Sequence, residues 1–340
     1  MSDPTRQPFA EIASSIAGWG KPLLLSHAKP DGDALGSLAA MRALLRSHGA
    51  DPLALLFDDL PNRYSLFDKH DAMTKWQTDV QAEDLADRDG VIVLDTCTYN
   101  QLTPIADWLQ ASELPKLAVD HHVTRDDLAD HYLVDESAAA TCLILYEWAR
   151  EMGWSLDQAT CEALFVGIAM DTGWFVHSNT DARVLSAAAD LTQRGITPHE
   201  LHQQLFQQET QPRIRLFGAA LQTMELGGNG KLAVLSLSKE AMEKVGATQA
   251  DTEDIVNEPL RIGTVVTSVL LVESDNNLIR ASFRSKPPLG DAEGATDIDV
   301  AGIASEFGGG GHKRAAGARI EGSLADVRRL VMTRLESLFD

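Results

Sequence analysis

Short, wholly apolar runs alternate with amphipathic stretches through the first half of the chain. Lys21 to Ser26 (KPLLLS), Pro52 to Phe57, Val91 to Asp95 (VIVLD) and Lys116 to Asp120 (KLAVD) predict strands. Ala34 to Ser47 (ALGSLAAMRALLRS) has helical periodicity, and a further helical segment falls between VIVLD and KLAVD. Strands that are continuously apolar and alternate with helices predict a parallel sheet covered on both faces, a doubly wound α/β domain.

From Ala138 to Gly195 the pattern turns helical, through AATCLILYEWAREMGW, LDQATCEALFVGIAMDTG and DARVLSAAADLTQRG, which closes the first domain. His199 to Met224 reads as a helical connector, and Leu226 to Gly230 (LGGNG) is a hairpin-type turn signal. Beyond it LAVLSLS, TVVTSVLLVES and LIRASFRS read as half-exposed strands, followed by a helix near Asp297 to Glu306 and a last helix opened by Ser323. A smaller α+β domain is expected there. The expected division is residues 1–195, a helical linker 196–228, and residues 229–340, two lobes with a cleft between them.

A length of 340 residues suits two domains, and 44% hydrophobic with 23% charged residues are globular values. No long uncharged apolar run is present, so no membrane association is expected. The opening MSDPTRQPFAEIASSIAGWG lacks a basic start, an apolar stretch and a small-residue cleavage site, which predicts a soluble cytoplasmic protein. Cys97, Cys142 and Cys161 have no close paired spacing, against both a disulfide framework and a thiolate zinc site. The net charge of -21 opposes a broad grip on duplex nucleic acid, so an anionic ligand must be small and locally clamped.

Acids and histidines collect at the carboxyl ends of the predicted strands, where doubly wound sheets bind ligands. His27, Asp31 and Asp33 follow the first strand in SHAKPDGDALGS. Asp95 ends VIVLD, Asp120-His121-His122 ends KLAV, and Asp171 lies in GIAMDTGWF. Asp33 by itself could equally cap the helix from Ala34. Together, so many carboxylates would raise one another's pKa values and destabilise the fold unless neutralised. Mixed imidazole and carboxylate ligands fit manganese, iron or zinc, and with no thiolate in the set we favour Mn²⁺. The ligands exceed what one ion needs, so two ions sharing a carboxylate, about 3.5–4 Å apart, are expected.

This order of segments resembles the DHH phosphoesterase superfamily, named for the triplet at Asp120-His121-His122. HxxxDxD at His27, Asp31 and Asp33, the strand-end Asp95, the triplet and Asp171 match its N-terminal motifs. Phe283-Arg284-Ser285-Lys286, Asp299-Val300 and FGGGGHKRAAG (Phe307 to Gly317) resemble its DHHA1 domain. The resemblance implies that His27, Asp31 and Asp95 hold one ion and Asp33, Asp95, His121 and Asp171 the other, with Asp95 bridging. It implies that Asp120 orients a neighbouring ligand and His122 meets the scissile phosphate or its leaving oxygen. It further implies that Arg284, Ser285, Gly309, Gly310, Gly311 and His312 bind the nucleotide end, while Arg314 reads as a solvated charge.

Within the superfamily, the length and two-domain plan are most similar to the short-oligoribonucleotide exonucleases that also remove the 3′ phosphate of phosphoadenosine phosphate. Cyclic di-AMP or linear-dinucleotide phosphodiesterases have nearly the same plan, and a nucleotide-sensing module without activity is the non-enzymatic alternative. RecJ-type enzymes add domains for longer strands, and FGGGGH argues against family II pyrophosphatases. The expected partners are short RNA or small nucleotides. Dimers are common in the superfamily, which adds a homodimer as an expectation.

Overall fold

The computed structural model describes residues 8–68, 73–288 and 297–339. Residues 1–7, part of the stretch read for a leader, lie outside them. Packing divides the chain after Gln208 into two units. Among the described residues, no helix is long and apolar enough to cross a membrane.

The first unit carries strands β1 (Leu23–Leu25), β2 (Leu53–Leu56), β3 (Thr74–Lys75), β4 (Val91–Leu94), β5 (Lys116–Asp120) and β6 (His131–Val134). They form one sheet in the order β3-β2-β1-β4-β5-β6, parallel at every pairing. Its helices are α1 (Phe9–Ile16), α2 (Gly32–Ser47), α3 (Ala106–Ala111), α4 (Thr141–Glu151), α5 (Gln158–Asp171), α6 (Ala182–Gln193) and α7 (Pro198–Phe206). Successive side chains on a strand face opposite ways, and here both faces are dry. Leu24, Ile92 and Val119 join a core with α2, α4 and α5, while Leu23, Val93 and Ala118 join another with Leu102 and Leu109. Burial on both sides is why these strands are apolar throughout. The chain runs outward through β2 and β3, then restarts at β4 on the other side of β1. This reversal opens a crevice at the carboxyl ends of β1 and β4.

The sequence pattern missed β3 and β6, which are short edge strands with half-exposed residues. The cap of α2 is Asp31, whose Oδ1 accepts from Asp33 N at 3.0 Å and Ala34 N at 3.1 Å. The helix therefore begins at Gly32, and Asp33 lies in its first turn rather than capping it. The three cysteines are free and buried.

The second unit holds α8 (Gln211–Gln222), β7 (Glu225–Gly227), β8 (Leu232–Leu237), α9 (Lys239–Val245), β9 (Thr267–Glu273), β10 (Leu278–Ser285), α10 (Val300–Glu306), β11 (Gly310–His312), β12 (Ala315–Glu321) and α11 (Leu324–Glu336). The helices of the expected connector, residues 196–228, thus fall one to each unit. The sheet order is β11-β12-β10-β9-β8-β7, antiparallel except for β8 with β9. The LGGNG turn joins β7 to β8, with Asn229 at φ 55°. Ser323 caps α11 by accepting from Asp326 N. LAVLSL and most of β9 are buried on both sides, not half-exposed: α10 and α11 cover one face, and α8, α9 and residues 255–261 the other. Among the described residues, only β10 and β12 keep the strict alternation of a sheet with one open face.

The helices α2 and α5 approach closely at Gly36 and Gly167. A Cβ on Gly36 would lie 2.6 Å from the Ala163 carbonyl oxygen. Gly36→Ala is predicted to destabilise the protein by about 2 kcal/mol, overpacking outweighing the roughly 1 kcal/mol alanine gains in helix propensity. A urea unfolding midpoint equal to that of the parent would contradict this.

Candidate active site and metal centre

Each strand end at the crevice delivers part of one cluster. His27 follows β1, and its Nδ1 lies 3.0 Å from the Ala28 carbonyl oxygen, an atom that only accepts, so Nε2 is left for the cluster. That Nε2 lies 3.4 Å from Asp95 Oδ2 and 4.0 Å from Asp31 Oδ1. Asp95 follows β4 with φ at +62°, uncommon for a residue with a side chain and typical of functional positions. The left-handed turn aims its carboxylate back across the strand ends, where Thr141 Oγ1 donates to its Oδ1 at 3.0 Å.

His121 repeats the arrangement of His27. Its Nδ1 lies 3.2 Å from the Ala138 carbonyl oxygen, which turns Nε2 toward Asp171 Oδ2 at 3.2 Å and Asp95 Oδ1 at 3.6 Å. His122 donates from Nδ1 to Asp120 Oδ1 at 2.8 Å, and that oxygen also accepts from the backbone N–H groups of His121 and His122. Asp120 is fully buried and fixes the loop, while the His122 side chain is 47% exposed. Asp33, fully buried, accepts from the first backbone N–H groups of α4: Thr141 N at 2.6 Å and Cys142 N at 2.9 Å.

Ligand atoms within 4.8 Å of one another form three overlapping sets: His27, Asp31 and Asp95; Asp33, His121 and Asp171; and Asp95, His121 and His122. The electrostatics are costly without a cation. Burial first, then the charge of Asp171, pushes Asp33 up to about 6, against hydrogen bonding from Cys142. Asp95 is raised well above its ordinary value by burial and by the charges of Asp33, Asp31, Asp171 and Asp120. Burial pulls His121 down, yet the Asp171 carboxylate 3.2 Å away and the charges of Asp33 and Asp120 carry it up to about 9. His121 Nε2 is buried and meets hydrogen-bond geometry with no partner. An orphaned imidazole nitrogen amid crowded carboxylates fits a divalent cation, which would satisfy both.

Several supporting groups escaped the sequence reading. Thr141 and Cys142 hold Asp33, and Asn179 Nδ2 donates to the carbonyls of Ala139 at 3.3 Å and Asp171 at 3.2 Å. Gly167 is needed because a Cβ there would lie 2.7 Å from Asp33 Oδ1. The small-residue run SAAAT before α4 and the glycine inside α5 were the available signals.

The remaining candidates lie in the second unit. Ser285 is buried and donates to the Ile298 carbonyl at 2.8 Å, so it braces the sheet rather than offering its hydroxyl to a ligand. Arg314 is no solvated charge: it pairs with Asp297 and donates to the Lys286 carbonyl at 3.1 Å. Arg284 alternates to the open face of β10, with one guanidinium bond to the Phe283 carbonyl. His312 ends β11 and pairs across to Ala315, which in turn pairs with Arg284. The glycine run has mixed roles. Gly309 and Gly311 would drive a Cβ to 2.1 Å and 2.6 Å from carbonyl oxygens of β12, and Gly308 has φ +72°, but Gly310 faces open space.

Residues 21–168 match the N-terminal domain of the DHH family and residues 229–337 the DHHA1 domain. The chain therefore belongs to the DHH family and is a phosphoesterase, a hydrolase with a DHHA1 second unit. The bifunctional oligoribonuclease and PAP phosphatase NrnA of Bacillus subtilis (strain 168) is 30% identical over 319 residues, covering 91% of this chain and 92% of the relative. NrnA of Thermus thermophilus is 27% identical over 318 residues, with 92% and 87% covered. The crystal structure of an exopolyphosphatase-related protein from Bacteroides fragilis shares the fold at a TM-score of 0.83, with 23% identity and 97% of each chain covered.

Asp33 and His121 hold extra protons in the folded, metal-free state. Asp33 keeps its proton to about pH 6 against an ordinary 3.8, and His121 to about 9 against 6.5. Stability of the metal-free protein is thus predicted to fall as pH rises through those windows. Mn²⁺ must displace the His121 proton, so its affinity should climb between pH 7 and 9, with proton release visible by titration calorimetry in buffers of different ionisation enthalpy. Equal affinity and no proton release at either pH would contradict this. Gly310→Ala should fold like the parent, whereas Gly309→Ala should lower the melting temperature; the reverse order would contradict the packing described.

Proposed function

We propose that the protein hydrolyses oligoribonucleotides of about two to five residues to mononucleotides, a size one pocket can hold, and removes the 3′ phosphate of 3′-phosphoadenosine 5′-phosphate. The conjunction at one crevice of the set His27, Asp31 and Asp95 with the set Asp33, His121 and Asp171, whose His121 Nε2 lies 3.6 Å from Asp95 Oδ1, carries this reading. The naming of relatives as oligoribonuclease and PAP phosphatase gives it a substrate class. His27, Asp31 and Asp95 would hold one divalent ion, and Asp33, Asp95, His121 and Asp171 the other, with Mn²⁺ the preferred metal. When bound, such a pair would supply charge neutralisation at phosphorus and a water of lowered pKa.

The chain's own groups complete the chemistry. The Nδ1 bonds of His27 and His121 fix the tautomer that presents Nε2 to the metals. His122 has a raised pKa, led by its hydrogen bond to Asp120 and opposed by burial. Held by that bond, it can donate the Nε2 proton to the departing oxygen of the ester. Arg284 offers a planar fork for a terminal phosphate, with the Gly310 backbone and His312 beside it. Ser285 is left out of this role.

Turnover with Mn²⁺ should be measured on a diribonucleotide, phosphoadenosine phosphate and cyclic di-AMP side by side. Cleavage of the first two is expected; cleavage of cyclic di-AMP alone would replace this reading with a cyclic-dinucleotide phosphodiesterase. His122→Ala should reduce kcat by about 10²–10⁴-fold with KM little changed, and Arg284→Ala should mainly raise KM. Unchanged kcat in the first, or unchanged KM in the second, would remove that residue from its role.

A further inference from the structure

The open face of the second unit's sheet carries more positive charge than a single terminal phosphate needs. On β10 the residues Arg280, Ser282 and Arg284 alternate to that face, away from the buried Ile279, Ala281 and Phe283. Across the antiparallel ladder they stand directly opposite Arg319, Gly317 and Ala315 of β12. Beyond β12, Gly310 and His312 continue the last two rows. Paired residues share a face, so a shallow floor of Ala315, Gly317 and Gly310 is bordered by Arg284 and His312 at one end and by Arg280 with Arg319 at the other.

Two arginines directly opposed on a sheet repel each other, and this chain has ample acid to relieve them, with Asp and Glu totalling 50 against 29 Lys and Arg. Several other cations of this unit are relieved in that way, among them Arg213 by Glu209, Arg328 by Glu225, Arg334 by Glu306, and both Lys313 and Arg314 by Asp297. Among the described residues, Arg280, Arg284 and Arg319 have no ion-pair partner. Glu321 shares their face one row beyond Arg319, opposite Leu278, and pairs with neither. A cationic row with no acidic partner among the described residues is a cost that an anionic ligand would offset.

We propose that Arg280 and Arg319 form a second phosphate subsite, which engages phosphates beyond the terminal one bound at Arg284 and makes longer single-stranded oligoribonucleotides bind better than dinucleotides. Rows two residues apart on a strand are separated by about 6.7 Å, so the Arg280–Arg319 row is about 13 Å from Arg284. That is of the order of two steps of an extended sugar–phosphate chain. A dinucleotide or phosphoadenosine phosphate held at Arg284 is too short to reach it. The small residues between the rows let the backbone lie flat on the sheet. This inference rests on the oligoribonuclease reading for its substrate class, and the test separates the two.

The test compares the parent with Arg280→Gln/Arg319→Gln by fluorescence anisotropy in EDTA, using labelled pentaribonucleotide, diribonucleotide and phosphoadenosine phosphate between about 50 and 200 mM salt. The double variant should bind the pentamer roughly tenfold more weakly, with the slope of log K against log salt reduced by about 1.4. The two short ligands should bind as before. Removing the opposed charges should leave the melting temperature equal or higher. Unchanged pentamer binding, equal weakening of all three ligands, or a lowered melting temperature would overturn the subsite. If Mn²⁺-loaded parent cleaves none of these ligands while pentamer binding still depends on the two arginines, the catalytic reading fails and the subsite stands. If all are cleaved and the variant is indistinguishable, the subsite fails alone.

Discussion

Carboxylates that repel one another in a dry crevice are the constraint on which the rest of this structure depends. Asp33 and Asp95 are almost wholly removed from water, and Asp31 and Asp171 add their charge to the same few ångströms. Such a group is tolerable only if protonated or neutralised by cations. The fold supplies partial relief: the first N–H groups of α4 bind Asp33, and Thr141 bonds to Asp95. The remaining imbalance converts into affinity for divalent metal. The chain thus stores at one rim the electrostatic energy that metal binding releases.

That rim exists because of sheet topology. Parallel strands buried on both faces must all end on the same side, and the reversal between β1 and β4 leaves those ends uncovered by a crossover. His27, Asp95 and the Asp120-His121-His122 triplet come from three neighbouring strand ends, and Asp171 from the end of α5, which is drawn close by Gly36 and Gly167. Substituting either glycine would therefore disturb Asp33 and Asp171 as well as the core. Packing and chemistry are coupled through the α2–α5 contact.

Much of this was legible in the sequence, because apolar runs and strand-end acids are local signals. LLL, VIVL and KLAVD announce buried parallel strands, and a ligand at each end announces their convergence. The edge strands β3 and β6 were not legible, since Thr74–Lys75 and HYLV are short and half-exposed, and only pairing to a neighbour makes them strands. The continuous burial of β8 depends on which helices return to cover it, a long-range fact. Ser285 misled for a related reason: a serine beside a candidate arginine reads as polar contact, yet strand alternation turns it inward to Ile298. Arg280 and Arg319 could not be linked by sequence at all, because only the register of β10 with β12 places them opposite each other.

The central claim is that this cluster holds two divalent ions joined by Asp95. Anomalous scattering from crystals of the protein grown with Mn²⁺ tests it most directly. The account predicts two manganese peaks about 3.5–4 Å apart, both bound by Asp95, one by His27 and Asp31 and the other by Asp33, His121 and Asp171. A single peak, or none among these side chains at saturating Mn²⁺, would contradict it.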